Sequence, residues 1–416
     1  MEIKRDLYLR KLISKMGNPM IKVITGIRRS GKSYLLFNIF RDYLLQQGVK
    51  SDHIISIELD IRENSKYRDP DVILDYIKLL LKDEDMYYIF LDEVQMMNEF
   101  EDVLNSLLHI KNVDTYVTGS NSKFLSKDVL TQFRGRGDEI HVYPLNFYEF
   151  MSQYNGDSYK GFEEYITYGG LPYVVGLENE QDKVEYLNNL FKETYIRDIR
   201  ERYKIEKVEE LNELIEILAS ATGSLTNPSK ILATFKTVLH SDISINTIRK
   251  YIDYLEDAFI INEAKRYDIK GRKYIGSPCK YYFEDVGLRN AAIGFRQIEE
   301  NHLMENILYN ELKIRGYSVD IGVVKKRIME NKVQELRNYE IDFVCNQGSK
   351  RYYIQSALNL DTVEKQNQEK TSLVNVDDSF KKIIVVKDYI TVRRDNDGIN
   401  TMGIYDFLLN ENSLDS

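Results

Sequence analysis

Two rhythms of apolar and polar positions run along the chain, one of period two and one of period 3.6, and their order predicts the architecture. Ile21-Lys-Val-Ile-Thr25 is rich in β-branched residues and leads straight into a glycine, which predicts a buried strand. From Ser33 to Leu45 the positions Leu35, Leu36, Ile39, Phe40 and Leu44 fall on a helical period, so strand, glycine-rich turn and helix follow one another. A short charged helix is expected before them, near residues 5–16. Strands at 53–59 and 87–91 flank a helical pattern at 71–82, and two more strands are expected at 115–118 and 139–143. Strands alternating with helices across short turns predict a parallel sheet covered on both faces. Residues 1–150 therefore read as one α/β domain.

The rhythm then changes. Residues 151–224 are helical in pattern, broken at Tyr168-Gly-Gly-Leu-Pro172, and read as a lid or linker. Residues 225–285 carry two short helical stretches joined by the turn at His240, the second capped by Ser244. Two strand-like arms, 259–267 and 279–283, follow and make a winged helix-turn-helix the expected form. Residues 286–416 read as a second α/β unit, with a helix at 303–315 and strands near 317–324, 340–345, 351–356 and 382–386.

Composition narrows the classes. The chain is 43% hydrophobic and 30% charged with six prolines, which describes a folded chain and excludes a disordered or collagen-like one. With 57 Lys+Arg against 66 Asp+Glu the net charge is −9, so any nucleic-acid surface must be regional. Cys279 and Cys345 stand far apart and the five histidines are scattered, which excludes a disulfide scaffold and a sequence-local zinc module. No apolar run approaches the roughly 18–20 residues needed to span a bilayer, so a cytoplasmic protein without a membrane partner is expected. The chain has 31 tyrosines and no tryptophan; burial in the core is the simplest expectation for them.

The chemistry concentrates at Gly26-Ile27-Arg28-Arg29-Ser30-Gly31-Lys32-Ser33, which matches GxxxxGK[S/T] and lies between the first strand and its helix. Glycines let consecutive N–H groups turn inward around an anion, and the helix N-terminus adds its positive end. Lys32 is expected to reach the terminal phosphates of ATP, and Ser33 to ligate Mg²⁺. The apolar strand Tyr87-Tyr-Ile-Phe-Leu91 delivers Asp92 and Glu93 beside this loop, the first to hold the metal and the second to orient or deprotonate water. Ser120 and Asn121, after the next strand, stand where ligands bind in open α/β sheets.

These strings, with Phe133-Arg-Gly-Arg-Gly, Tyr143-Pro-Leu-Asn-Phe-Tyr-Glu-Phe and Tyr168-Gly-Gly-Leu-Pro, resemble a family of bacterial and archaeal AAA-type ATPases over nearly the whole chain. The resemblance implies an ATP-binding AAA-type core, a helical segment, a winged helix and a nuclease-like C-terminal fold. AAA-type enzymes often bring an arginine to the γ-phosphate in cis or from a neighbouring subunit; Arg134 and Arg136 are the candidates here, with Arg28 and Arg29 as alternatives.

Two further regions invite a reading. Lys265, Arg266, Lys270, Arg272, Lys273 and Lys280 against Asp268 give a local +5 within sixteen residues, a wing that could track phosphates while Arg249 and Lys250 approach the groove of duplex DNA. In the last unit Glu305 on a helix, Asp342 on a strand and Gln355 on the next resemble the restriction-endonuclease type of fold. There the third motif ends in lysine, and here it ends in Ala357, so an inactive site is expected, its acids either holding a metal weakly or left as remnants within a binding domain. The whole reads as a Mg²⁺-dependent ATPase, able to form a homo-oligomer, that couples nucleotide state to its other domains or to a partner. The alternative is a DNA-binding or nuclease-like protein that ATP only switches, and a third is a scaffold that reads ATP occupancy.

Overall fold

The computed structural model describes residues 3–119, 136–296, 298–330 and 333–415, which form two compact units. One comprises residues 1–144 with 257–259, and the other 145–256 with 260–416.

In the first unit α1 (Asp6–Lys15) precedes β1 (Ile21–Thr25), and the helix opening with α2 (Lys32–Tyr34) passes through a π-helical Leu35–Phe40 into α3 (Arg41–Gln46). Then come β2 (Ile54–Glu58), α4 (Pro70–Leu80), β3 (Tyr87–Asp92), α5 (Phe100–Leu108), β4 (Val113–Thr118) and β5 (Gly137–His141). All strand pairs are parallel, in the order β2-β3-β4-β1-β5. Alternate residues face opposite layers. Val23, Ile57, Ile89 and Leu91 pack on Ile73 and Ile77 of α4 and Val103, Leu104 and Leu107 of α5. Ile24, Phe90 and Tyr116 pack on Leu12 of α1 and on Leu35, Leu36 and Phe40. The expected two-faced parallel sheet is thus present, and α5 is an element the apolar rhythm did not announce. Asp69 caps α4 through the N–H groups of Asp71 and Val72, with Pro70 pre-set for the first turn. Lys22, expected on a buried strand, is fully buried and ion-paired with Asp114, which also accepts from the Tyr116 hydroxyl at 2.9 Å.

The second unit begins with α6 (Phe147–Met151), α7 (Ser158–Tyr168), α8 (Pro172–Val175), α9 (Glu180–Asn189), α10 (Arg197–Tyr203) and α11 (Val208–Ser220). The two helical stretches of the expected helix-turn-helix are α12 (Pro228–Thr237) and α13 (Ile245–Asp257), and Ser244 accepts from Thr247 N at 3.1 Å as a cap should. The hairpin is β6 (Ile261–Asp268) and β7 (Lys273–Phe283). After it come α14 (Val286–Ala292), α15 (Glu300–Ile314), β8 (Ser318–Glu330), β9 (Val333–Gln347), β10 (Lys350–Ala357), α16 (Val363–Val374), β11 (Lys381–Val386), β12 (Arg393–Arg394), β13 (Ile399–Gly403) and α17 (Ile404–Leu409).

The eight strands share one sheet in the order β12-β13-β11-β10-β9-β8-β6-β7. This corrects the expected wing: β6 runs parallel to β8, Arg266 opposite Ile321, so the hairpin is the edge of the larger sheet and one of its faces is committed to packing. Leu303, Met304, Ile307 and Leu308 of α15 cover one face over Phe343 and Ile354, and Leu373 of α16 packs with Val344, Tyr353 and Ile384 in a second apolar cluster. Tyr8, Tyr87, Tyr116, Tyr282, Tyr309 and Tyr353 are among the largest fully buried side chains, which places much of the tyrosine excess in the two cores.

The Tyr168-Gly-Gly-Leu-Pro break has a packing role. A Cβ on Gly170 would meet the Leu145 carbonyl oxygen at 2.1 Å, and the Gly170 N–H donates to Asp285 at 2.8 Å. Asp285 also caps α14 through Leu288 N at 2.9 Å, and burial pushes its carboxyl up to about 6 against those backbone donors.

Candidate functional site

The phosphate loop leaves β1 at the carboxyl end of the sheet, where its conformation depends on glycine. Gly26 has φ +133°, and a Cβ there would lie 2.1 Å from the Val142 carbonyl oxygen, so the loop passes tightly against the chain after β5. Gly31, at φ 94° and ψ 21°, caps the helix that begins at Lys32, and Arg29 takes φ 65°. Lys32 is 5% exposed, and its ammonium donates to the carbonyls of Gly26 at 3.0 Å and Ile27 at 2.9 Å. Ser30 is fully buried, while Arg28 is half-buried and Arg29 exposed. Arg5, missed in the sequence, steadies the loop from outside: its guanidinium donates to the carbonyls of Tyr143 at 2.6 Å and Ser30 at 3.5 Å.

The strand register sets the acids beside this loop, with Asp92 ending β3 opposite Glu58 of β2, and Thr118 ending β4 opposite Ile24 of β1. Asp92 is 4% exposed and its carboxylate accepts from the hydroxyl of Thr118. Burial raises its pKa against that bond and the neighbouring Ser33 hydroxyl, and the charges of Glu93 and Asp60 push the same way. Glu93 N donates to the Thr118 hydroxyl at 3.1 Å, so one hydroxyl ties the two acids together. Glu93 itself takes a left-handed backbone, φ 48°, and its carboxylate accepts from the Gln95 amide. The carboxylate oxygens of Glu58, Asp60 and Asp92 crowd within 4.8 Å of one another. This oxygen-only set, with the Ser33 hydroxyl beside Asp92 and excess negative charge, fits a hard cation such as Mg²⁺. Thr118, Glu58 and Asp60 escaped sequence reasoning, though the first two end strands that the pattern had found and Asp60 stands in the turn just after β2.

Ser120 and Asn121 lie outside the described residues, as does Arg134. Arg136 is exposed, and its carbonyl accepts from Ile21 N at 2.9 Å. It therefore precedes β5 at the amino-terminal edge of the sheet, five strand residues, or about 16 Å, from the loop edge. Action on the nucleotide of its own chain is removed, and the expectation narrows to a neighbouring subunit.

In the second unit Arg249 and Lys250 on α13 and Lys270, Arg272 and Lys273 around the hairpin turn are exposed. Lys270 pairs with Asp377 at 2.7 Å. Lys280 departs from the expected basic surface, because it is 3% exposed and points into a carboxylate cluster. Its ammonium lies 2.8 Å from Glu305, 2.9 Å from Glu340 and 3.6 Å from Asp342. Tyr282 donates to the same Glu305 oxygen at 2.5 Å, and Ser356 N donates to Asp342 at 2.9 Å. Gln355 turns its side-chain oxygen toward Asp342 N at 3.4 Å and the Ser372 hydroxyl at 3.4 Å. The structure thus gathers Glu305, Asp342 and Gln355, and adds Lys280, Tyr282 and Glu340. The one signal for Lys280 was its place in Cys279-Lys-Tyr-Tyr-Phe283, a lone charge in an otherwise apolar and aromatic run.

Residues 18–151 match the family model of an AAA domain, and residues 159–299 match that of a domain of unknown function. The second match runs without a break from the helical stretch through the hairpin. An uncharacterized protein of Haemophilus influenzae is 36% identical over 413 residues, 98% of each chain. An uncharacterized protein of Methanocaldococcus jannaschii is 28% identical over 386 residues, 88% of this chain and 80% of its own. Among solved structures, the Aeropyrum pernix Orc1 protein in complex with DNA is 14% identical, covering 70% of this chain and 92% of that one, with a TM-score of 0.30.

Proposed function

This chain belongs to a family of AAA-domain proteins found in bacteria and archaea, and from that membership we propose that it binds ATP with Mg²⁺ and hydrolyses it to ADP and phosphate. The observation that carries the reading is the meeting of Ser33, Asp92, Thr118 and Glu93 beside a GxxxxGKS loop at the carboxyl edge of a parallel sheet.

Each residue has a task. The N–H groups from Gly26 to Ser33 wrap the phosphates, and Lys32 exchanges two backbone carbonyls for terminal phosphate oxygens. Ser33 and Asp92 hold Mg²⁺, which supplies positive charge to the phosphate oxygens when bound. Glu93 accepts a proton from the attacking water as its oxygen bonds to the γ-phosphorus and the bond to ADP breaks. Thr118 keeps Glu93 and Asp92 in register. Ser120 and Asn121 complete the γ-phosphate side, and Arg136 acts on a neighbouring subunit's nucleotide.

Nucleotide state is then coupled to the second unit or to a partner in the cytoplasm. We read that unit as a helix-turn-helix joined to a nuclease-like sheet without hydrolytic function, since Ala357 offers no amine. Among the described residues no helix is long and apolar enough to cross a membrane. The second reading, in which ATP only switches DNA engagement, draws support from the exposed cations Arg249, Lys250, Arg272 and Lys273. Phosphate release with and without duplex DNA separates the two. The Glu93→Gln variant tests the first directly: it should bind ATP and scarcely turn over, and unchanged turnover would refute the role of Glu93.

A further inference from the structure

The carboxylate cluster of the second unit holds a cation of its own. An ammonium has three N–H donors, and that of Lys280 faces three carboxylates, at 2.8 Å (Glu305), 2.9 Å (Glu340) and 3.6 Å (Asp342). These acids come from α15 and β9, while the lysine comes from the edge strand β7, so the ion group ties the edge hairpin to the middle of the sheet. Two further bonds reach the same acids: Tyr282 donates to Glu305 and the Ser356 backbone to Asp342. Oxygen donors gathered this way suit a hard divalent ion, and the space between them is taken by nitrogen.

We propose that Lys280 is the resident cation of this cluster, an internal ammonium standing where a divalent metal would otherwise bridge Glu305 and Asp342, and that the acids form a divalent-ion site only when that amine is removed. The inference is independent of the ATPase reading, because every residue in it belongs to the second unit. It also gives the missing lysine of the third motif a different meaning. Ala357 leaves no amine at the third-motif position of β10, and the amine that β7 supplies pairs with the acids and excludes the metal that hydrolysis of a phosphodiester would need.

The test compares Mn²⁺ binding to the full chain and to Lys280→Met, both carrying Asp92→Asn to silence the nucleotide site. Mn²⁺ should leave the melting midpoint of the Lys280-containing chain unchanged and raise that of Lys280→Met by several degrees, an effect that Asp342→Asn removes. Terbium luminescence excited through tyrosine should appear in Lys280→Met, with Tyr282 beside the site, and vanish with Asp342→Asn. Equal Mn²⁺ affinity with and without Lys280 overturns the proposal, as does a folded Lys280→Met chain that binds no ion. Should Lys280→Met not fold even with Mn²⁺ present, the unaltered chain decides: a Mn²⁺ response abolished by Asp342→Asn overturns the proposal, and its absence upholds it.

Discussion

Lys32 and Lys280 are both buried lysines, at 5% and 3% exposure, yet their ammonium groups rest on different partners. Lys32 donates to two neutral carbonyls of its own loop. Lys280 stands among three carboxylates drawn from distant parts of the chain. A charge held by carbonyls gains when a phosphate arrives, because an ionised acceptor forms the stronger bond. A charge already balanced by buried acids gains nothing by leaving them. A buried amine thus makes an exchangeable site where it donates to carbonyls of its loop and a closed one where it stands among carboxylates.

The strongest way to break this contrast is kinetic. Glu93→Gln should lower turnover about 100-fold or more while ATP binding persists, the loss expected for a general base; comparable phosphate release from both proteins would remove the site from consideration. Next in size is stability. Lys280→Met should cost about 3–5 kcal/mol, because it strands buried acids, and more than Lys32→Met, which gives up bonds to carbonyls of its own loop. Denaturant melts of the two variants measure the gap, and equal losses would erase the distinction drawn here. Thr118→Val comes third: without the hydroxyl that joins Asp92 to Glu93, turnover should fall about tenfold with little change in ATP affinity, the loss of one hydrogen bond's worth of positioning.

The smallest effect concerns a buried acid that has backbone donors in place of an ammonium. Asp285 titrates at about 6 in the folded chain, above the ordinary range near 3.9. The folded state then holds a proton that the unfolded state has released, so this group's contribution to stability falls as pH rises from about 4 through about 6. Asp285→Asn should flatten that slope in melts across this window, and an unchanged slope would mean that the carboxyl titrates normally.

What the sequence disclosed follows the distance over which each feature is built. The phosphate loop and the Asp92-Glu93 pair are local strings on a strand-turn-helix, and their positions were legible to within a residue. The parallel sheet was equally legible, since its strands are short apolar runs between helical patterns. Lys280 was read as a surface charge because its neighbours Lys270, Arg272 and Lys273 are, and its partners lie 25 residues away at Glu305 and farther on β9. The hairpin was visible in the pattern, but its pairing with β8 across some fifty residues of chain was not, so it passed for a free wing. Arg136 failed as a cis residue for a similar reason: only the β1–β5 register tells which end of the sheet it occupies. Arg5, 25 residues before Ser30, is another long-range support without a local signature.

The most direct test counts divalent ions. Mn²⁺ binding to the unaltered chain, followed by electron paramagnetic resonance with and without a non-hydrolysable ATP analogue, should give one tightly held ion per chain that requires the nucleotide. That ion should be lost in Asp92→Asn and indifferent to Asp342→Asn. A second ion that disappears with Asp342→Asn, or no ion when the analogue is present, would contradict the account.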